Sequence, residues 1–306
     1  MAEVKEISKV DFENKVEVDK LKVLSGEPIK ISDLLTIYQP TIRQIKDAGE
    51  QKVLNTLWMM CSCAWDMPSA FADMGIDFMS VSDWQFFIQT VQSFSVDITR
   101  LVFGDLDFQK LKPMSFKQSE DDTEGQIVLV NIEPMTIGEV TYQPAQYIFT
   151  EELYHQMIPY VREMIGFQHK GRKAKNRATA QILVMDDRKQ RARHKDEPYE
   201  SMFHNGIISL VNTEEFPYTY STVLDITMYQ FTKSLIQIQG KKQACAMLQG
   251  SMSGFVDTSK IPSINFQWTY SEEKYKRHGG KTLKDSLAPN GGSLNIKPSL
   301  EDAPKK

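Results

Sequence analysis

Cysteine and histidine are the residue types best suited to nucleophilic or metal chemistry. This 306-residue chain contains three cysteines and five histidines. Cys61 and Cys63 lie two positions apart, whereas a closed zinc site takes four ligands and usually C-x-x-C spacing. Cys245 lies far away in the sequence. The histidines show no H-E-x-x-H pairing. They are His155, His169, His194, His204 and His278. These spacings predict reduced, structural thiols and no metal or cofactor site.

Other catalytic motifs are equally weak. The run from Gly250 to Gly254 resembles a nucleophile elbow, but that motif needs serine at its centre, where this chain has Met252. The chain contains neither a phosphate-binding P-loop nor the dinucleotide glycine pattern. Four carboxylates lie in acidic loops, where solvent exposure explains them: Asp105, Asp107, Asp121 and Asp122. The sequence therefore predicts a protein that is not an enzyme and has no catalytic residue.

Positive charge is concentrated in residues 169–195, which contain ten Lys or Arg residues and two Asp residues. The net charge of this segment is therefore +8. The remaining chain has 26 basic and 38 acidic residues, which gives it a net charge of −12. Such a cluster can bind a phosphate backbone, but this one lacks interleaved aromatic residues that stack on bases. A solvated helix that docks on an acidic partner, or on a second copy of the chain, is favoured. We expect Arg188, Arg191 and Arg193 to make the partner contacts.

The bulk composition indicates a globular protein without a membrane role. Hydrophobic residues make up 41% of the chain, which is enough for a core, and the net charge is −4. No apolar run reaches the roughly 18 residues of a membrane span, and the charged N-terminus has no hydrophobic signal region. We expect a protein of the cell interior, with nucleic acid disfavoured as a partner.

The elements that must position these residues are mainly helical. Residues 216–257 predict two antiparallel helices, the first begun by Ser221 and ended by Gly240. The apolar positions of the first helix recur at spacings of three and four: Leu224, Met228, Phe231, Leu235 and Ile238. Those of the second are Ala244, Met247, Leu248 and Met252. We expect Phe231, Leu235 and Leu248 to hold the core.

The rest of the chain predicts a mainly α fold with small β-hairpins, of the α+β class. Further helices are expected at residues 40–63, 82–91, 96–104, 150–166 and 199–211, and strands at 126–132 and 140–149. The expected segments are a strand or hairpin arm (1–38), a helical domain (39–110), an acidic loop with a β-hairpin (111–149), a helical domain containing the basic helix (150–258), and a flexible tail (259–306).

Three stretches carry a resemblance to a known group of proteins. They are 33–45 (DLLTIYQPTIRQI), 73–108 (DMGIDFMSVSDWQFFIQTVQSFSVDITRLVFGDLDF) and 226–261 (ITMYQFTKSLIQIQGKKQACAMLQGSMSGFVDTSKI). Together with the basic helix in looser form, they are similar to proteins from the tail-gene cluster of long-tailed phages and prophages of Gram-positive bacteria. The genes of those proteins lie between the tail-tube and tape-measure genes.

This resemblance implies a tail assembly chaperone, which binds the tape measure protein, helps to recruit tube subunits and then leaves. Its place of action is the host bacterial cytoplasm. Two alternatives stay open. One is a structural virion component, such as a tail terminator, connector or baseplate piece. The other is a nucleic-acid-binding regulator that uses residues 169–195.

Overall fold

The computed structural model of the protein describes residues 16–116, 126–169 and 174–252. The chain divides into two compact units, Met1–Ile236 and Gln237–Lys306. The predicted class, mainly α with small β-hairpins, is confirmed. The predicted tail at 259–306 lies outside the described residues, and the predicted division into five segments stays a prediction.

Ten α-helices are present in the described ranges. They are α1 (Lys20–Ser25), α2 (Ile42–Ala48), α3 (Glu50–Cys61), α4 (Pro68–Asp73), α5 (Asp83–Val91), α6 (Val96–Phe103), α7 (Glu151–Ile165), α8 (Arg177–Arg193), α9 (Met202–Val211) and α10 (Met228–Met252). Short 3-10 helices lie at Ala64–Asp66, Phe78–Ser80, Phe108–Lys110 and Thr222–Asp225.

The strands are β1 (Ile29–Ser32), β2 (Leu35–Ile37), β3 (Leu111–Phe116), β4 (Gln126–Asn131), β5 (Met135–Ile137), β6 (Val140–Tyr142) and β7 (Ile148–Phe149). All pairings are antiparallel: β1 with β2, β5 with β6, and a three-stranded sheet in the order β3-β4-β7. The predicted pairing of 126–132 with 140–149 is present in part, since β4 pairs with β7. The extra hairpin of β5 and β6, which turns at Gly138 with φ +59°, was not predicted. Nor was β3, the other partner of β4, because Lys112, Pro113 and Ser115 interrupt its apolar residues.

Several predicted helix ends are confirmed, since they depend on local hydrogen bonds. The Ser82 hydroxyl accepts from the Gln85 amide at 3.1 Å, and the Gln85 side chain accepts from the Ser82 amide at 3.0 Å. Thr150 begins α7 by accepting from the Leu153 amide at 3.2 Å. Gly166, in the left-handed conformation, ends that helix.

Two predictions in the first 63 residues are wrong in detail. In the arm expected to form strands (1–38), α1 forms at Lys20–Ser25 because the Asp19 carboxylate accepts from the amides of Leu21 and Lys22. The helix expected over 40–63 is two helices, since Gly49 adopts φ +93° between α2 and α3. A hairpin does form in this arm, between β1 and β2, but it turns at residues 33–34, whereas the expected turn lay at residues 25–28.

The predicted helical hairpin at Gly240 is also wrong, because α10 continues through that glycine as one helix. A glycine inside a helix costs only about 1 kcal/mol relative to alanine, which the hydrogen bonds of a 25-residue helix can offset. The N-terminal cap of α10 is Thr227, whose hydroxyl accepts from the Gln230 amide at 3.2 Å. Ser221 makes no side-chain cap, and Leu224 lies in the preceding 3-10 helix.

Phe231 is fully buried, as predicted for the core, and packs on the Phe203 ring of α9 at a centroid distance of 5.4 Å. Leu235 is partly buried. The Leu248 side chain lies outside the described set. Gly206 of α9 permits the close approach of Phe231: a Cβ added there would lie 2.6 Å from the ring carbon Cζ.

We therefore expect Gly206→Ala to lower the free energy of unfolding by about 1–3 kcal/mol, because the buried ring must shift. This loss exceeds the roughly 1 kcal/mol that alanine gains over glycine in helix propensity. Gly240→Ala is the matched control, since the described residues leave the space around an added Cβ open there. Urea denaturation should show destabilisation for the first variant and a slight gain for the second; two gains would contradict the packing described.

Candidate functional site

The basic helix α8 packs through its apolar face on the region around α4. Ala180 is buried in one cluster with Phe71 and Phe78, and Val184 is partly buried against the same cluster. The Trp65 ring meets Phe78 edge-on at a centroid distance of 5.2 Å. This contact fixes one side of α8 and leaves the opposite side of the helix in solvent.

A polar contact locks α8 to the start of α4. The Asp187 carboxylate is 6% exposed and accepts from the Ser69 hydroxyl at 2.6 Å and from the Ser69 amide at 3.2 Å. Arg191 donates to the same hydroxyl at 3.0 Å. A buried carboxylate with several donors is a specific anchor, so α8 is held in one position on α4.

An open groove of about 560 Å³ runs between α8, the end of α4 and the 3-10 helix at Phe78–Ser80. Its apolar lining is formed by Ala72, Ile76, Phe78, Met79, Ala180, Val184 and Met185. Ile76 is 40% exposed and Met185 is 56% exposed. Arg177, Arg188 and Asp77 supply charge at the edge. Large apolar side chains of this exposure around a concave surface indicate an interaction site.

The three arginines predicted to bind a partner lie in three different environments. Arg188 lines the groove and pairs with Asp73 at 2.5 Å, both side chains being more than half exposed. Arg191 donates to Ser69 within the chain. Arg193 is exposed at the last residue of α8. One arginine of the three therefore lies at the groove, and the prediction of partner contacts stays a prediction.

The groove residues Ile76 and Met185 were missed by sequence reasoning. A signal existed, because residues 182–185 read Ile-Leu-Val-Met. Four consecutive apolar residues point to all sides of a helix, so one face cannot bury them all. Two of the four, Ile182 and Met185, are more than half exposed.

A second cluster lies at the 3-10 helix Ala64–Asp66. The Asp66 carboxylate oxygen Oδ2 is 3.3 Å from Cys63 Sγ and 2.8 Å from His169 Nδ1. The thiol and that ring nitrogen are 3.6 Å apart. Among the described residues, these three side chains form a group whose ligand atoms are close enough to hold a metal ion. Sequence reasoning missed Asp66 and His169 as members of the group.

The thiols in this region are neutral. Burial, together with the neighbouring Asp66 carboxylate, raises the pKa of the Cys63 thiol to about 12. Burial likewise raises the pKa of the Cys61 thiol to about 12. A nucleophilic cysteine needs the opposite shift, so the pair has the electrostatics of structural thiols. Cys245, by contrast, is exposed.

Comparison with known proteins gives one finding. Residues 194–271 match the family model of the YomV second domain, a phage-related family named after a protein of a Bacillus prophage. The match covers α9, the Thr222–Asp225 turn and α10. No curated protein and no solved structure matches the chain. In the described residues, no helix has both the length and the apolar character needed to cross a bilayer.

The matched domain supports the phage character that the sequence resemblance implied. It covers about a quarter of the chain and begins immediately after α8, so the groove lies outside the match.

Proposed function

We propose that this chain is a non-enzymatic phage tail morphogenesis protein, a tail assembly chaperone that binds the tape measure protein in the groove between α4 and α8. Recruitment of tail tube subunits and action in the host cytoplasm belong to the same proposal. The observation that carries it is the open, largely apolar groove of about 560 Å³.

The groove suits a helix as its occupant. Helix-in-groove recognition places apolar side chains at positions i, i+3, i+4 and i+7 of the ligand into a hydrophobic channel. The groove presents side chains of that kind, and Met79 and Met185 can adjust their shape to several similar ligand faces. The tape measure protein, which is the partner that the resemblance implies, is a long helical polymer, so it offers such faces repeatedly.

The basic residues of α8 favour a bound helix that carries acidic residues beside its apolar face. Helix α8 contains five basic and two acidic residues. Arg177 and Arg188 of this helix lie directly at the groove, where Asp77 is the single acidic lining residue. Because Arg188 already pairs with Asp73, carboxylates beside the apolar face of the ligand would meet Arg177 directly and Arg188 by exchange with Asp73, which mainly favours fast and specific association.

Two of the three arginines that were predicted to contact a partner bind residues of their own chain instead. Arg188 donates to Asp73 and Arg191 donates to Ser69. This engagement limits their use for any acidic partner, protein or nucleic acid alike. The apolar lining of the groove is what supports a protein partner over the nucleic-acid-binding alternative.

Met185→Glu is expected to weaken binding of a purified helical segment of the tape measure protein by about 10- to 100-fold, because a buried methionine contributes roughly 1.5–3 kcal/mol. Ile76→Glu should have a similar effect from the other wall of the groove. Isothermal titration calorimetry measures both affinities, and circular dichroism confirms that the variants fold.

Met114→Glu is the matched control, since Met114 is 52% exposed on β3 and does not line the groove. It should bind like the unmodified chain. Equal affinity for all three variants and the unmodified protein would show that the tape measure protein is not bound in this groove.

A further inference from the structure

We infer that Cys63, Asp66 and His169 form a binding site for a zinc ion. The three ligand atoms, Sγ, Oδ2 and Nδ1, lie within 4.8 Å of one another. In a tetrahedral zinc site with bonds of roughly 2.0–2.3 Å, ligand atoms lie about 3.3–3.6 Å apart. The observed separations from Sγ, 3.3 Å to the carboxylate and 3.6 Å to the imidazole, match this spacing.

The remaining separation, 2.8 Å between Asp66 and His169, is that of a hydrogen bond. An ion entering between the two atoms needs them to move apart by about 0.5 Å to reach tetrahedral spacing. The His169 side chain is 30% exposed, so the imidazole can make this movement and the ion can enter from its side.

Two separate parts of the chain supply the ligands, and one of them is firmly held. Cys63 and Asp66 bracket a single 3-10 turn, and the Cys63 amide donates to Asp66 Oδ2 at 3.0 Å. His169 follows α7 and its terminal glycine, with its ring edge-on to Phe167 at 5.2 Å. A bound ion would therefore connect the turn after α3 to the segment after α7.

The chemistry of the donor set selects the ion. One thiolate, one imidazole nitrogen and one carboxylate oxygen suit zinc, whereas magnesium and calcium prefer oxygen ligands alone. Thiolate and carboxylate together carry two negative charges, which balance Zn²⁺. Three protein ligands leave the fourth tetrahedral position for a water molecule.

Binding must release one proton. Cys63 Sγ–H ionises, its proton leaves to solvent, and the sulfur bonds to zinc. The imidazole bonds to the ion through Nδ1 as a neutral ring, so the proton that Nδ1 donates to Asp66 moves to Nε2. Asp66 exchanges the hydrogen bonds it accepts from Sγ and Nδ1 for a bond to the ion. Zinc affinity should consequently fall as the pH is lowered.

Cobalt(II) is the spectroscopic probe of choice for the test. The full chain should carry the Cys245→Ser substitution, because Cys245 is exposed and could bind metal nonspecifically. We expect one equivalent of cobalt to give a thiolate-to-metal charge-transfer band with visible bands of tetrahedral geometry. One equivalent of zinc should remove both.

Cys63→Ser retains a hydroxyl donor to Asp66 and should fold, but it should lose the charge-transfer band and bind zinc about 100-fold more weakly. His169→Gln should weaken binding to a similar degree. The matched controls are His155→Gln, at an exposed histidine of α7, and Cys61→Ala, at a buried thiol outside the cluster. Both should bind like the background protein.

Competition with a chromophoric chelator gives the affinities, and circular dichroism without metal confirms folding. Absence of a charge-transfer band in the folded background protein would overturn the inference. So would a band that persists in Cys63→Ser and His169→Gln at the strength of the controls.

Discussion

Arg162→Met is expected to lower the free energy of unfolding by about 3–5 kcal/mol, because it leaves a largely buried carboxylate without its cation. Arg162 of α7 donates through Nη2 to Asp83 Oδ2 at 3.2 Å and through Nε to the Cys61 carbonyl at 3.0 Å. The two charged side chains are only 17% and 14% exposed. The arginine therefore joins α7 to both α3 and α5, and urea denaturation at neutral pH measures its loss.

The double variant Arg162→Met/Asp83→Asn separates the effect of the unpaired charge on stability from the effect of lost packing. It should recover part of the lost stability, because the uncompensated negative charge is removed together with its partner. Arg43→Met is the control: its ion pair with Asp225 has an N–O distance of 2.8 Å, but the two side chains are 45% and 63% exposed. A loss for Arg162→Met no larger than that for Arg43→Met would contradict the assignment.

Phe87→Ala is expected to cost about 3–5 kcal/mol, since it opens a cavity at the centre of the aromatic core. Phe87 of α5 is 1% exposed. Its ring centroid lies 4.8 Å from Tyr154, 5.8 Å from Trp84, 5.9 Å from Phe108, 5.9 Å from Phe149 and 6.4 Å from Phe94. One side chain thus contacts α7, β7 and the 3-10 helix at Phe108–Lys110.

Trp58→Ala is the control for Phe87→Ala, because Trp58 is of comparable size but 51% exposed. Its effect in the same denaturation experiment should be well below that of Phe87→Ala. Similar losses for the two variants would show that the aromatic cluster around Phe87 is not the main core of this unit.

Local signals in the sequence predicted local structure well. The hydroxyls of Ser82 and Thr150 cap helices as expected, because each capping bond spans only three residues. The Phe231 position in the core followed from helical periodicity. A weak local signal failed at Gly240, which has the residue type of a helix end, yet α10 continues through it because the hydrogen bonds of a long helix offset the cost of one glycine.

Contacts between residues that lie far apart in the sequence could not be predicted. The sequence of β3 gives little strand signal because it contains Pro113 and no β-branched residue, but its six residues pair with β4 in regular register. The basic charge of α8 was visible, whereas the sequence did not show that Arg191 and Asp187 turn toward Ser69. Hydrogen bonds between residues more than 100 positions apart leave no local pattern.

The candidate sites illustrate the same limit. Ile76 and Met185 line one groove although over 100 positions separate them. Cys63 and Asp66 have the three-residue spacing of adjacent ligands, but His169 completes the group only through the fold. Sequence reasoning weighed the spacings within the cysteines and within the histidines, which do not show that His169 lies beside Cys63, and therefore predicted no metal site.

The most direct test of the proposed function recovers the tagged protein from phage-producing cells and assays purified virions for the same chain in parallel. We expect tape measure protein in the recovered complex, no such protein with Met185→Glu, and absence of the chain from virions. Recovery of the chain from virions at fixed copy number would contradict the chaperone assignment and identify a structural tail component. Recovery of the tape measure protein by Met185→Glu, as by the unmodified chain, would contradict the role of the groove.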